Sequence, residues 1–172
     1  MKIIEALKNL KTIEKRIDKN CQQITQYAAW VDIETIPFET EEKQKAEVAS
    51  LIQANLDLEV EYLRLKTAIE TTNLAVKVTV KDKTYSISNL VTLKRKAKDF
   101  RTKTYNALDG RAAVQRMQQI YAKGFDAGNP PKVVAAYKEE DKNKALREWD
   151  DFVSAIDGKL EVVNAETELQ GY

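Results

Sequence analysis

One thiol, Cys21, and no histidine set the limits of the chemistry open to this chain. A cysteine nucleophile needs a base or cation beside it to hold the thiolate. Cys21 has no His partner and falls on the apolar line of a predicted helix, so the expectation is a buried structural thiol. The missing imidazole also removes Ser-His triads and most transition-metal sites. Carboxylates come in pairs at Glu41/Glu42, Glu139/Glu140 and Asp150/Asp151. Successive helical residues point about 100° apart, so such pairs do not converge on one substrate and read as solvated helix faces. Gly158-Lys159 lacks the upstream glycines of a phosphate loop, Gly110 with Gly124 fits no dinucleotide fingerprint, and there is no calcium-loop spacing. The expectation is a non-enzyme with no catalytic residues, no metal and no cofactor. An enzyme working through carboxylates alone is the least supported alternative.

Charge is distributed unevenly although the total is only +1. Residues 81–103 carry eight Lys/Arg against two Asp, and residues 32–70 carry ten Asp/Glu against four Lys/Arg. Three readings stand for the basic run, with Lys94, Arg95, Lys96 and Lys98 at its centre. It is a patch for nucleic acid or another anionic partner, a basic face meeting an acidic face between subunits, or a solvated helix surface. No aromatic-interleaved RNA-binding motif accompanies it.

The elements that must position these groups are helical. Charged residues make up 32% of the chain and hydrophobic ones 43%, with only 5 Gly and 3 Pro, a composition for long helices. Its 172 residues suit a single helical domain over 1–172. In the first helix, about 2–29, Ile3, Leu7, Leu10, Ile17, Cys21, Ile24 and Ala28 step by three and four, broken only at Glu14. That is a coiled-coil seam. Pro37 marks a connecting loop at 30–39, and Thr40 is placed to cap the next helix with Glu41 and Glu42 in its first turn. The second helix, about 40–73, has a seam of Val48, Leu51, Asn55, Leu58, Tyr62, Leu65, Ile69 and Thr72. Ile52, Leu56 and Leu63 form a second stripe, so more than one neighbouring helix is expected. Asn55 is either a register-fixing buried polar residue or a solvated one at a bundle edge.

The period then changes to two. Val76, Val78 and Val80, a turn at Lys81-Asp82-Lys83, and Thr84-Tyr85-Ser86-Ile87 predict a β-hairpin inserted at 75–88. Ser88 is the expected cap of a third helix that Asp109-Gly110 kinks or breaks. Residues 124–131, with Phe125 and Pro130-Pro131, form an exposed loop. Val133 to Tyr137 is a short strand or part of the last helix, which Asp141 opens and Gly158 interrupts. The fold class is therefore mainly α, a coiled-coil-like bundle of three to four long helices with one small β-hairpin. Helices 1 and 2 are expected to form an antiparallel hairpin.

Several motifs in order resemble one family. They are Met1-Lys2-Ile3-Ile4-Glu5-Ala6-Leu7, Lys15-Arg16-Ile17, Ile69-Glu70-Thr71-Thr72-Asn73, the hairpin with Leu90 to Lys98, and Leu160 to Leu169 with its closing Asn164-x-x-Thr167-Glu168-Leu169. Together they resemble the septicolysin-like family, small helical proteins of bacteria and phage genomes. The chain departs from the family pattern in lacking an Asp within Leu93-Lys94-Arg95-Lys96 and in having Ala165 where Trp is expected. The resemblance implies a helical, self-associating protein without an established enzymatic role, and a virion or assembly component rather than a pore-former.

The expected function is thus a structural protein that forms a homo-oligomer through its long helices, as a capsid, neck or tail accessory of a phage. The expected oligomer interface is Leu51, Asn55, Leu58, Tyr62, Leu65 and Ile69. Its partners are itself and other virion proteins. The alternative is a nucleic-acid-binding accessory protein using the basic 81–103 segment. No run approaches the roughly 18 apolar residues of a membrane span, and the chain opens directly in amphipathic periodicity. The expected location is the cytoplasm, or the virion after assembly there.

Overall fold

The structure is a computed structural model that describes residues 1–33, 37–122, 124 and 131–172. In chain order the elements are α1 (Ile3–Tyr27), α2 (Glu41–Ala75), β1 (Lys77–Val80), β2 (Lys83–Ser86), α3 (Ile87–Thr92), α4 (Lys98–Asn106), α5 (Arg111–Ala122) and α6 (Glu139–Glu166). A π-helical turn, Leu93–Ala97, joins α3 to α4. The protein is mainly helical, with a two-stranded antiparallel hairpin, β1–β2. The chain divides into two compact units. The first is Met1–Val78, Ser86–Ser88 and Leu160–Tyr172, and the second is Thr79–Tyr85 and Asn89–Lys159. The hairpin and α6 are continuous across the division.

The first unit is built on an antiparallel pair, α1 against α2. Thr40 caps α2 as its residue type requires, with its hydroxyl accepting from the Lys43 backbone N–H at 3.3 Å. Ala6, Leu10, Ile13, Leu65 and Ile69 form the buried core of the pair, and Ile17, Leu58, Tyr62 and Leu169 pack against it. The buried line of α1 is therefore Ile3, Ala6, Leu10 and Ile13. This line shares Ile3, Leu10 and Ile17 with the predicted seam, but takes Ala6, Ile13 and Asn20 where the prediction had Leu7, position 14 and Cys21. Glu14 no longer interrupts anything, and Leu7 is exposed. Cys21 is exposed as well, which corrects the expectation of a buried thiol. The cause is the side from which α2 approaches, since only one flank of the shared line can be covered by a single neighbour.

The two ends of the chain meet in this unit. The Ile3 N–H donates to the Thr167 carbonyl at 3.0 Å and the Leu169 N–H donates to the Met1 carbonyl at 2.9 Å. The Gln170 N–H donates to Thr72 Oγ1 at 2.9 Å, so the closing Thr167-Glu168-Leu169 segment is tied to both helices.

In the hairpin, Val78 and Val80 are buried and Lys77 and Thr79 are exposed, as alternation requires. The loop is two residues, Lys81-Asp82, rather than three, and Lys81 takes a φ of 53°. Positive φ at a loop residue matches the twist of paired strands. The next helix begins at Ile87, so Ser88 lies inside it and is not its cap.

In the second unit the predicted third helix is interrupted twice. The π-helical turn covers Leu93–Ala97, and a break at Ala107–Gly110 separates α4 from α5. Asp109 Oδ1 accepts from the Arg111 N–H at 3.0 Å, which caps α5 and makes the break favourable. Lys142 Nζ donates to the Leu108 carbonyl at 2.9 Å, tying the start of α6 to that break. The last helix opens at Glu139 rather than Asp141 and runs through Gly158 without interruption. Residues 131–137 are neither strand nor helix. Of the predicted loop 124–131, Gly124 and Pro131 are described, and Phe125 and Pro130 lie outside the described residues, as does Ile36 of the loop 30–39.

Candidate functional site

The helix α2 carries apolar side chains on two faces, and they have different fates. On the inner face Leu65 and Ile69 are 0% and 3% exposed. Leu51, Asn55, Leu58 and Tyr62 are half-buried on the same line. These six were the expected oligomer interface. Within one chain α1 already occupies that line, and Leu65 and Ile69 have no surface left for another subunit. The seam closes on itself because the α1–α2 loop returns the chain antiparallel beside it.

Polar groups set the pairing of the two helices. Asn20 Nδ2 donates to Asn55 Oδ1 at 2.8 Å, and Asn55 Nδ2 lies 3.5 Å from Cys21 Sγ. The two amides satisfy each other across the seam, where the neighbouring positions of α2 are Leu51 and Leu58. Nearer the other end, the Tyr62 hydroxyl donates to Glu14 Oε1 at 3.1 Å. That hydrogen bond raises the phenol's pKa above 10.0, with desolvation and the negative charge of Glu14 adding to it.

The outer face has no such cover. Ile52, Leu56, Val60, Leu63 and Leu74 are 47%, 51%, 68%, 56% and 61% exposed. From residue 56 onward the steps are four, three and eleven, which places Leu56, Val60, Leu63 and Leu74 in one heptad frame with Thr67 and Glu70 at the two positions between. The sequence reading identified Ile52, Leu56 and Leu63 but missed Val60 and Leu74. The signal was present in their spacing. Charged residues flank the line: Asp57 and Glu59, then Arg64 and Lys66, all exposed. The Arg64 guanidinium lies 5.0 Å from the Tyr172 ring centroid.

The basic segment of the second unit is partly neutralised by α6. Lys94 Nζ is 2.7 Å from Asp157 Oδ1, and Lys98 Nζ is 3.9 Å from Asp150 Oδ1. Arg95 and Lys96 are exposed on the π-helical turn. Two of the four cations chosen for an anionic partner thus face acids of the same chain. Arg95 and Lys96 carry the remaining exposed charge at the centre of the run. The pairing is not legible in the sequence because Asp157 lies 63 residues from Lys94 and Asp150 lies 52 from Lys98.

An open concavity of about 560 Å³ lies between the hairpin loop, α4 and α6 within this unit. Arg101 stacks on Trp149, its guanidinium carbon 4.0 Å from the ring centroid, and Phe152 lies 5.3 Å from Trp149. Lys81 sits 5.8 Å over Phe152. Trp149 is 6% exposed and its Nε1–H has no hydrogen-bond partner among the described residues. Lys81, Lys83 and Arg101 are opposed here by Asp82 and Glu148, so the wall has no strong field of either sign.

Among the described residues, no group of three or more His, Cys, Asp or Glu is placed to hold a metal ion. No helix among them is long and apolar enough to cross a membrane. Compared with protein-family models, curated proteins and solved structures, the chain matches none.

Proposed function

We propose that this chain is a non-enzymatic structural or assembly protein that works by associating with copies of itself. The observation that supports this most is the exposed apolar line Leu56, Val60, Leu63 and Leu74 on α2. Scattered exposed apolar residues are ordinary, but a line at coiled-coil spacing along one rigid helix is a surface suited to a second helix. The inner face shows what such a line does when a neighbour is present, since α1 buries Leu65 and Ile69 and half-buries Leu58 and Tyr62. The narrower proposal, a capsid, neck or tail accessory of a phage particle, rests on the resemblance of the motif order to the septicolysin-like family alone.

Absolute mass by light scattering after size exclusion, at low and high salt, tests the reading. A discrete oligomer that survives high salt is expected, because burial of apolar surface is not screened. A monomer under both conditions overturns it.

A further inference from the structure

Resting on that self-association, we propose that the partner of the outer face of α2 is the same face of a second copy. The two helices run antiparallel about a two-fold axis between residues 61 and 62. The argument comes from the order of charges along the exposed line. Asp57, Glu59 and Glu61 precede the midpoint, and Arg64 and Lys66 follow it together with one acid, Glu70, so the first half is acidic and the second carries a net positive charge. Parallel helices would set the acidic halves side by side and the basic halves side by side. Antiparallel helices set each acidic half against a basic one.

The apolar residues select the same axis. In an antiparallel coiled coil, residues equidistant from the dyad face each other, and those flanking the seam meet with an offset of about two positions. With the axis between 61 and 62, Val60 faces the second copy's Leu63, Leu56 faces Thr67, Gln53 faces Glu70, and Ala49 faces Leu74. On one flank Glu59 meets Lys66, and on the other Asp57 meets Arg64. Two-fold symmetry produces each of these pairs twice. All of the residues involved are exposed in the single chain. Within one helix Glu59 and Lys66 stand two turns apart, as do Asp57 and Arg64, too far to pair with each other. Inside the chain Asp57 Oδ1 accepts only from Gln53 Nε2 at 2.9 Å among the hydrogen bonds of the described residues, an exposed contact, and the seven-residue spacing of acid and base fits a pairing between two chains.

Arg64 is held on its flank by stacking against Tyr172. Stacking engages the face of a guanidinium and leaves its edge N–H groups free for a carboxylate. Lys66 now lies 3.5 Å from Glu70 of its own helix, an exposed pair worth little and easily exchanged.

The test is a charge swap read by sedimentation equilibrium on the full chain. E59K and K66E should each weaken the dimer by roughly tenfold, because each creates two like-charge contacts. The double variant E59K/K66E should restore it. The Lys66–Glu70 pair is lost in both K66E and the double variant, so restoration reads only the pairing between copies. A second measurement uses a Cys21→Ser background. Mixing V60C chains with L63C chains should give a mixed disulfide, while V60C alone should give little. A dimer that ignores the swap, or V60C chains that cross-link to themselves efficiently, overturns this register while leaving self-association standing. A monomer at every concentration overturns the register together with the self-association it rests on.

Discussion

The inner and outer faces of α2 are made of similar residues at similar spacing, and only one of them is buried. Leu65 on the inner face is 0% exposed, and Leu63, two residues away on the outer face, is 56% exposed. Leucine type does not distinguish them, and neither does helix propensity. The difference is the return of α1, which covers one side of a helix that has apolar residues on two. A helix with apolar lines on two faces is expected to meet more than one neighbouring helix.

The sharpest way to break the comparison is to truncate both leucines. Leu65→Ala should cost about 2–5 kcal/mol in unfolding free energy, the range for a buried leucine in a packed core. Leu63→Ala should stay within about 0.5 kcal/mol at concentrations where the chain is monomeric. Urea denaturation of both variants measures this, and equal losses would mean that the outer face is covered within the chain.

A smaller effect is expected at the amide pair. Replacing both Asn20 and Asn55 by Leu should raise stability by about 1 kcal/mol, because apolar residues pack the seam better than a half-buried amide pair. The variant should also lose its single register, seen as doubled amide resonances or a mixture of masses. A single ordered state with an unchanged mass would show that the amides do not specify the pairing.

The smallest effect concerns Tyr62 at the edge of the inner face. Its pKa is raised in the folded chain, so the folded form holds the phenolic proton more tightly than the unfolded form. The stabilisation is complete below the ordinary tyrosine pKa of 10.0 and is lost as pH rises through the folded value. Tyr62→Phe should therefore be slightly less stable at neutral pH and should lose less stability than the parent above about pH 10. Melting curves from neutral to alkaline pH check the sign, and an alkaline loss as large as the parent's would remove Tyr62 as its source.

Much of the fold was legible because its signals are local. Thr40 caps α2 through its own hydroxyl, and the valines at 78 and 80 alternate into a strand whatever lies beyond. Other features depended on distant partners. The basic run around Lys94 and Lys98 left three readings open in the sequence, and the ion pairs these two make with Asp157 and Asp150 depend on residues of a distant helix. Arg101 and Trp149, which stack at 4.0 Å, are forty-eight residues apart and share no motif.

By itself the sequence determined that α1 and α2 are long amphipathic helices and that a hairpin follows, because hydrophobic period and turn chemistry act over a few residues. It also determined that α2 has two apolar lines. Which line closes within the chain was decided only by the tertiary structure. The same holds for α1, where Ile3, Leu10 and Ile17 belong equally to a line through Leu7 and Cys21 and to one through Ala6 and Ile13. The spacings are the same three and four in both. The side from which α2 packs selected Ala6 and Ile13 for burial and left Cys21 in solvent, because one neighbouring helix can desolvate only the flank it touches.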